Sequence, residues 1–184
     1  MNLEYAMTVC NVQGLTARHC GTSELRSDSK FGILTQRRLE KELENFTRDP
    51  PPNYFAKPDD ESNILTWTAI ISGPKDSPYA GGRFELIIQY PYDYPLQPPA
   101  VRFKTKIYHP NVDIETGFIG MDILREGWSP VLTIGAVLLS VQAMMSDPEM
   151  GCVLAREFET DRGGYVERAK EWARVYAKDE EVEL

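Results

Sequence analysis

Side chains able to do covalent or proton-transfer chemistry are few and scattered in this chain. Its cysteines are Cys10, Cys20 and Cys152, and its histidines are His19 and His109. A cysteine becomes a nucleophile or metal ligand as its thiolate, which near neutral pH needs a cationic or basic neighbour. None of the three stands in a CxxC pair, and their number is odd. Neither a zinc cage nor a disulfide framework is therefore predicted, and no metal or other cofactor is implied. Near Cys152 the charged residues are Glu149, Arg156 and Glu157. Acidic neighbours raise a thiol pKa, which favours a small buried apolar residue over a nucleophile at that position. His109 sits in a Pro-containing loop, and its only companion, His19, lies far away in a polar N-terminal stretch. That isolation favours a packed loop histidine over a base or a metal ligand.

The elements that must position these groups follow from periodicity. Residues 1–30 are polar and lack a sustained period, which predicts a loose extension outside the core. From Thr35, Leu39, Leu43 and Phe46 recur at helical spacing until Asp49-Pro50-Pro51-Pro52 stops the helix. Residues 64–72, 83–90 and 100–105 read as strands, with Phe84, Leu86, Ile88 and Tyr90 alternating onto one face, and a weaker strand lies over 54–56. Turn residues between them predict an antiparallel meander, while the Pro-rich stretch 91–99 must be a rigid surface loop. Residues 106–132 show no regular period, and long loops of this kind are commonly functional. Thr133 can cap a helix over 134–145, apolar nearly all round, closed by Asp147-Pro148. Tyr165, Ala169, Trp172 and Tyr176 mark a last amphipathic helix before the acidic tail 179–184. The sum is an α+β domain over 31–178, flanked by the extension and the tail.

Composition narrows the partners. The chain has 184 residues, 42% of them hydrophobic and 26% charged, with a formal net charge of -8. That suits one globular core. The acidic balance opposes nucleic-acid binding, which needs Lys and Arg to neutralise phosphates. No N-terminal apolar leader is visible, and the longest apolar stretch, 134–145, is broken by Ser140 and Gln142, so neither secretion nor membrane insertion is predicted. A cytoplasmic protein with protein partners fits best.

The long loop carries the specific signal. Tyr108-His109-Pro110-Asn111, Gly117-Phe118-Ile119-Gly120-Met121-Asp122-Ile123-Leu124 and Trp128-Ser129-Pro130 together closely resemble the active-site segment of ubiquitin-conjugating enzymes. The resemblance spans residues 35–178, with support from residues 77–82, 94–99, Asp147-Pro148 and Glu171-Trp172. It implies the family's fold: an N-terminal helix, a four-stranded meander, a long active-site loop, a central helix and C-terminal helices. It also implies partners: ubiquitin or a ubiquitin-like modifier, a ubiquitin-activating enzyme and a RING-type ubiquitin ligase.

In that family the position of Gly120 is a cysteine that carries ubiquitin as a thioester, and glycine offers only a hydrogen there. Asn111 matches an asparagine that steadies the oxyanion of lysine attack or supports the loop; with the nucleophile missing, loop support is favoured. The resemblance places activating-enzyme contacts on Arg37, Arg38 and Lys41, and ligase contacts on Leu96, Pro130 and Val131. Each has a plainer alternative, a solvated basic face for the first group and loop packing for the second. The segment after Asp147-Pro148 lacks the family's acidic gate, and the stretch before Glu159 is shorter by about one helical turn. Cys152 falls near the vacated position and is the alternative nucleophile. The loop from Asn111 to Gly117 is one residue longer than in most members, similar to the peroxisome-associated branch, which would place the protein at the peroxisome surface. Three expectations therefore stand together: a non-charging protein that binds pathway partners, an active enzyme whose cysteine at 120 was replaced, or an enzyme that uses Cys152.

Overall fold

Leu39 and Phe46 lie two turns apart on the first helix, α1 (Leu25–Arg48), and both are buried, so one stripe of that helix is committed to the core. The structure, a computed structural model, describes residues 25–60, 63–148 and 155–178. α1 starts well before Thr35, and residues 25–30, expected to be loose, are helical. No proline interrupts residues 25–48. Once the packed turns around Leu39 have paid for nucleation, each further residue gains a backbone hydrogen bond at little cost.

Four strands follow: β1 (Tyr54–Asp60), β2 (Asn63–Ser72), β3 (Arg83–Gln89) and β4 (Ala100–Phe103). They pair antiparallel in chain order, with Ala56 opposite Ala69, Ile71 opposite Phe84 and Leu86 opposite Phe103. This register puts Ala56, Trp67, Ala69, Ile71, Phe84, Leu86, Ile88, Val101 and Phe103 on one buried face. Trp67 fills its centre, edge-on to Phe46 and Tyr90. Full burial of side chains this large contributes about 1.5–3 kcal/mol each. β1 is longer than its sequence suggests and carries Pro58, tolerated because β1 is an edge strand, with a register shift just beyond it. β4 is shorter than expected, because the N–H groups of Lys104 and Thr105 both turn to the Glu85 carbonyl and end the ladder.

α2 (Ile134–Ser146) is capped by Thr133, whose hydroxyl accepts the Ala136 N–H at 3.2 Å. Ile134, Val137, Leu138, Val141, Met144 and Met145 are buried, but Leu139 is exposed, so α2 has one core face and one solvent face rather than apolar surroundings throughout. A short α3 (Ala155–Thr160) leads to α4 (Arg162–Tyr176), whose first turn is capped by Asp161 on the Gly164 N–H. Tyr165, Ala169 and Ala173 form its buried stripe, while Tyr176 is exposed. The spacing of four places the stripe one residue away from the Trp172–Tyr176 line expected from the sequence. The acidic tail 179–184 lies outside the described residues.

Candidate functional site

Residues 107–132 are held as a loop by ties to every neighbouring layer. Asn111 and Gly120 face each other, the Gly120 N–H donating to the Asn111 carbonyl at 2.8 Å. Val112 bridges Ile119, and the Asp113 N–H donates to the Phe118 carbonyl at 2.9 Å. Together these contacts form a short antiparallel clip. Its tip is a turn in which the Thr116 N–H and hydroxyl both donate to the Asp113 carboxylate. Those bonds hold the Asp113 carboxyl below its ordinary range. Gly117 closes the turn at φ +71, and a Cβ there would sit 2.0 Å from the Phe103 carbonyl. Only glycine lets the clip hang from β4, where the Phe103 N–H donates to the Gly117 carbonyl at 2.8 Å.

The clip presents Gly120 between buried Ile119 and buried Met121. Its φ lies outside the left-handed region. A Cβ built on Gly120 would meet only the Asn111 carbonyl, at 3.5 Å, which is ordinary contact. The backbone there tolerates a side chain, yet none is present. Phe118, exposed on the rim, lies under the Arg125 guanidinium at 5.1 Å from the ring centre.

The N-terminal side of the loop is anchored from below. Tyr79 donates its hydroxyl to the Tyr108 carbonyl at 2.6 Å, and the Tyr165 hydroxyl lies 2.6 Å from that of Tyr79. Burial raises both phenol pKa values, that of Tyr165 to about 12, so both remain neutral donors. His109 is wholly buried. Its Nδ1 accepts the Asn111 N–H at 3.0 Å, so Nε2 carries the proton and donates to the Met144 carbonyl at 3.1 Å. Desolvation pushes its pKa down to about 4, against the smaller opposing pull of that carbonyl. A neutral imidazole with both nitrogens occupied cross-links the loop to α2 and has no free lone pair for a base or a metal. Asn111 is itself buried beside it. The loop thus brings Asn111 and Gly120 together, with no nucleophilic side chain at 120. Cys152, the other candidate, lies outside the described residues, as do Cys10 and Cys20. Among the described residues no cluster of His, Cys, Asp and Glu can hold a metal ion.

A second surface lies beside the first helix. Leu96 is 57% exposed and Val131 83%, with Pro130 also exposed. Both are apolar tips carried on tethered turns. The Leu96 turn is closed by its own N–H on the Asp93 carbonyl, and the Trp128 indole N–H donates to the Pro95 carbonyl at 2.8 Å. The basic residues of α1 separate in the structure. Arg37 is exposed, and Lys41 forms a surface pair with Glu44. Arg38 instead turns inward, its Nε 2.6 Å from Glu42 Oε1 and its second guanidinium nitrogen donating to the Leu132 carbonyl at 2.8 Å. It therefore serves the fold, and the exposed basic face reduces to Arg37 and Lys41.

Glu42 is the residue that periodicity missed. It is 3% exposed and accepts from Arg38, from the Tyr94 hydroxyl and from the Ile134 N–H. Its signal was a carboxylate one turn from Leu39 and one from Phe46, on the apolar stripe itself.

A family model described as "Ubiquitin-conjugating enzyme" matches residues 38–173. Among solved structures, an E2 domain of a Toxoplasma gondii ubiquitin conjugating enzyme is similar to this chain at 40% identity and a TM-score of 0.72, covering 78% of this chain and 99% of that one.

Proposed function

The chain belongs to the ubiquitin-conjugating enzyme family, and from that premise we propose that it acts in a ubiquitin or ubiquitin-like pathway by binding partners without carrying the modifier as a thioester at position 120. The observation that carries this is glycine opposite Asn111 at the base of a clip whose other parts, Asn111, His109 and the Gly117 turn, are in place. Transfer chemistry needs a sulfur that attacks an acyl carbonyl and then leaves to an amine, and no environment can tune a side chain that is absent. Partner recognition requires no nucleophile. Exposed Leu96, Pro130 and Val131 suit a RING-type ligase, and Arg37 and Lys41 suit an activating enzyme.

Ligase binding is tested by calorimetric titration of the unmodified chain and of Leu96→Ala against isolated RING domains. An anchoring leucine at an interface centre gives a loss of about 1–2 kcal/mol on truncation. Unchanged isotherms for the folded variant would return Leu96 to the role of an ordinary exposed loop residue.

One observation favours a second reading, an active enzyme whose cysteine was replaced. The space at Gly120 accepts a Cβ without any shift, as expected of a loop built around a side chain. The genomic codon at position 120 separates the two readings, and a Cys codon would establish the second.

A further inference from the structure

The two exposed tips assigned above to ligase docking arise from separate turns, yet both turns are rooted in one buried carboxylate. Glu42 Oε1 accepts the Tyr94 hydroxyl at 2.6 Å, and Tyr94 lies in the turn that projects Leu96. Glu42 Oε2 accepts the Ile134 N–H at 2.6 Å, fixing the first turn of α2 immediately after Val131 and Leu132. Arg38 completes the figure: it pairs with Glu42 Oε1 and donates to the Leu132 carbonyl, beside Val131. On the other side of Tyr94, the Thr35 hydroxyl is shared between the Tyr92 and Tyr94 carbonyls at 2.6 and 2.8 Å, tying the same turn back to α1. The Trp128 indole links the two turns directly through the Pro95 carbonyl.

The geometry points to Glu42 as a positioning residue that sets the spacing and relative orientation of Leu96 and Val131, so that the two tips meet a ligase as one preorganised surface. Three charge-assisted bonds converge on a carboxylate from which water is excluded, and such bonds are stronger and more directional than neutral ones on a surface. Neither tip is itself buried, so without these roots each turn would sample many positions and association would have to order them again. The role extends the ligase-docking function proposed above and rests on it. It makes no contact with the partner; its whole effect runs through Tyr94, Arg38 and the α2 N-terminus.

The test uses the full chain with methyl-labelled Leu and Val, three variants, and a panel of isolated RING domains as binding probes. Tyr94→Phe removes the hydroxyl arm to the Leu96 turn; Arg38→Met removes the arm to Leu132 together with the Arg38–Glu42 pair and the contact of the guanidinium with the Tyr94 ring; and Glu42→Gln removes or weakens both arms. Methyl signals of Leu96 should shift and broaden in Tyr94→Phe, those of Val131 most and those of Leu96 less in Arg38→Met, and both sets in Glu42→Gln, with Leu86 and Leu139 unchanged. Ligase affinity should fall by about threefold to tenfold in each single-arm variant, the effect of one lost net hydrogen bond. Leu96→Ala should then cost less in the Tyr94→Phe background than in the unmodified chain. If Glu42→Gln does not fold, the two single-arm variants decide the matter. Unmoved Leu96 and Val131 methyls in folded variants would overturn the positioning role, as would moved methyls with unchanged affinity. Absence of any RING binding by the unmodified chain would instead overturn the docking function, and the methyl spectra would show separately whether the geometric link holds.

Discussion

Lowering the pH should destabilise this protein through His109 before most of its carboxylates are involved. The ring is buried and neutral, with a pKa of about 4 against an ordinary 6.5. Because the folded-state value is depressed, the contribution is fully present above 6.5 and disappears as pH falls from 6.5 to about 4, where the folded ring also takes up a proton. Over that window the unfolded chain binds a proton that the folded chain refuses. At 1.36 kcal/mol per pH unit, the difference between 6.5 and about 4 amounts to a loss of about 3 kcal/mol. That is a large share of the ~5–15 kcal/mol that holds a typical domain together. Asp113, held below its ordinary range by Thr116, adds its own loss only at still lower pH. Guanidinium unfolding at closely spaced pH values should therefore show stability falling with a slope approaching about 1.4 kcal/mol per pH unit near pH 5. An NMR titration of the His109 ring supplies the direct check. Its signals should stay those of the neutral Nε2–H tautomer down to pH 5. A folded-state ring that titrates near 6.5, or a flat stability profile between pH 6.5 and 4.5, would refute the burial argument.

Other consequences are equally specific. The Tyr90 hydroxyl is buried with no hydrogen-bond partner among the described residues, so Tyr90→Phe should leave stability unchanged or raise it by about 1 kcal/mol in thermal unfolding; a loss larger than this would reveal a partner for the hydroxyl. Gly117→Ala must force a Cβ against the Phe103 carbonyl at positive φ, and should cost more than about 1 kcal/mol and alter the Gly120 and Phe118 amide signals; a neutral substitution would mean that the clip can detach from β4.

Much of the architecture was legible because it obeys simple periods. β3 alternates without interruption, Thr133 and Asp147 mark both ends of α2, and the order of turns left little choice but a meander. Element ends were legible only where a capping side chain or sterics decides them. Pro50 stops α1 unambiguously, but nothing local fixes its start, because helix growth upstream depends on turns already packed around Leu39. The end of β4 depends on the Glu85 carbonyl drawing two N–H groups across from β3, a contact that no local pattern encodes. At the site, residue types told what could not happen at Gly120, since a missing side chain is visible in sequence. They did not reveal how the loop is held: His109 by Met144, Tyr108 by Tyr79, and Gly117 by Phe103 are contacts between distant segments. Arg38 and Arg37 are neighbours with the same charge, and only the buried Glu42 one turn further on separates their roles.

The measurement that bears most directly on the function of this chain is a charging assay with ubiquitin-activating enzyme, ATP and ubiquitin, resolved on a non-reducing gel for the unmodified protein and for Gly120→Cys. The unmodified chain should give no reductant-sensitive adduct. Gly120→Cys should give one, because the clip already has room for the side chain and Asn111 stands beside it. A thioester on the unmodified chain, traced by substitution to Cys152 or to another cysteine, would contradict the proposed function. Failure of folded Gly120→Cys to charge would show that the loop has lost more than its sulfur.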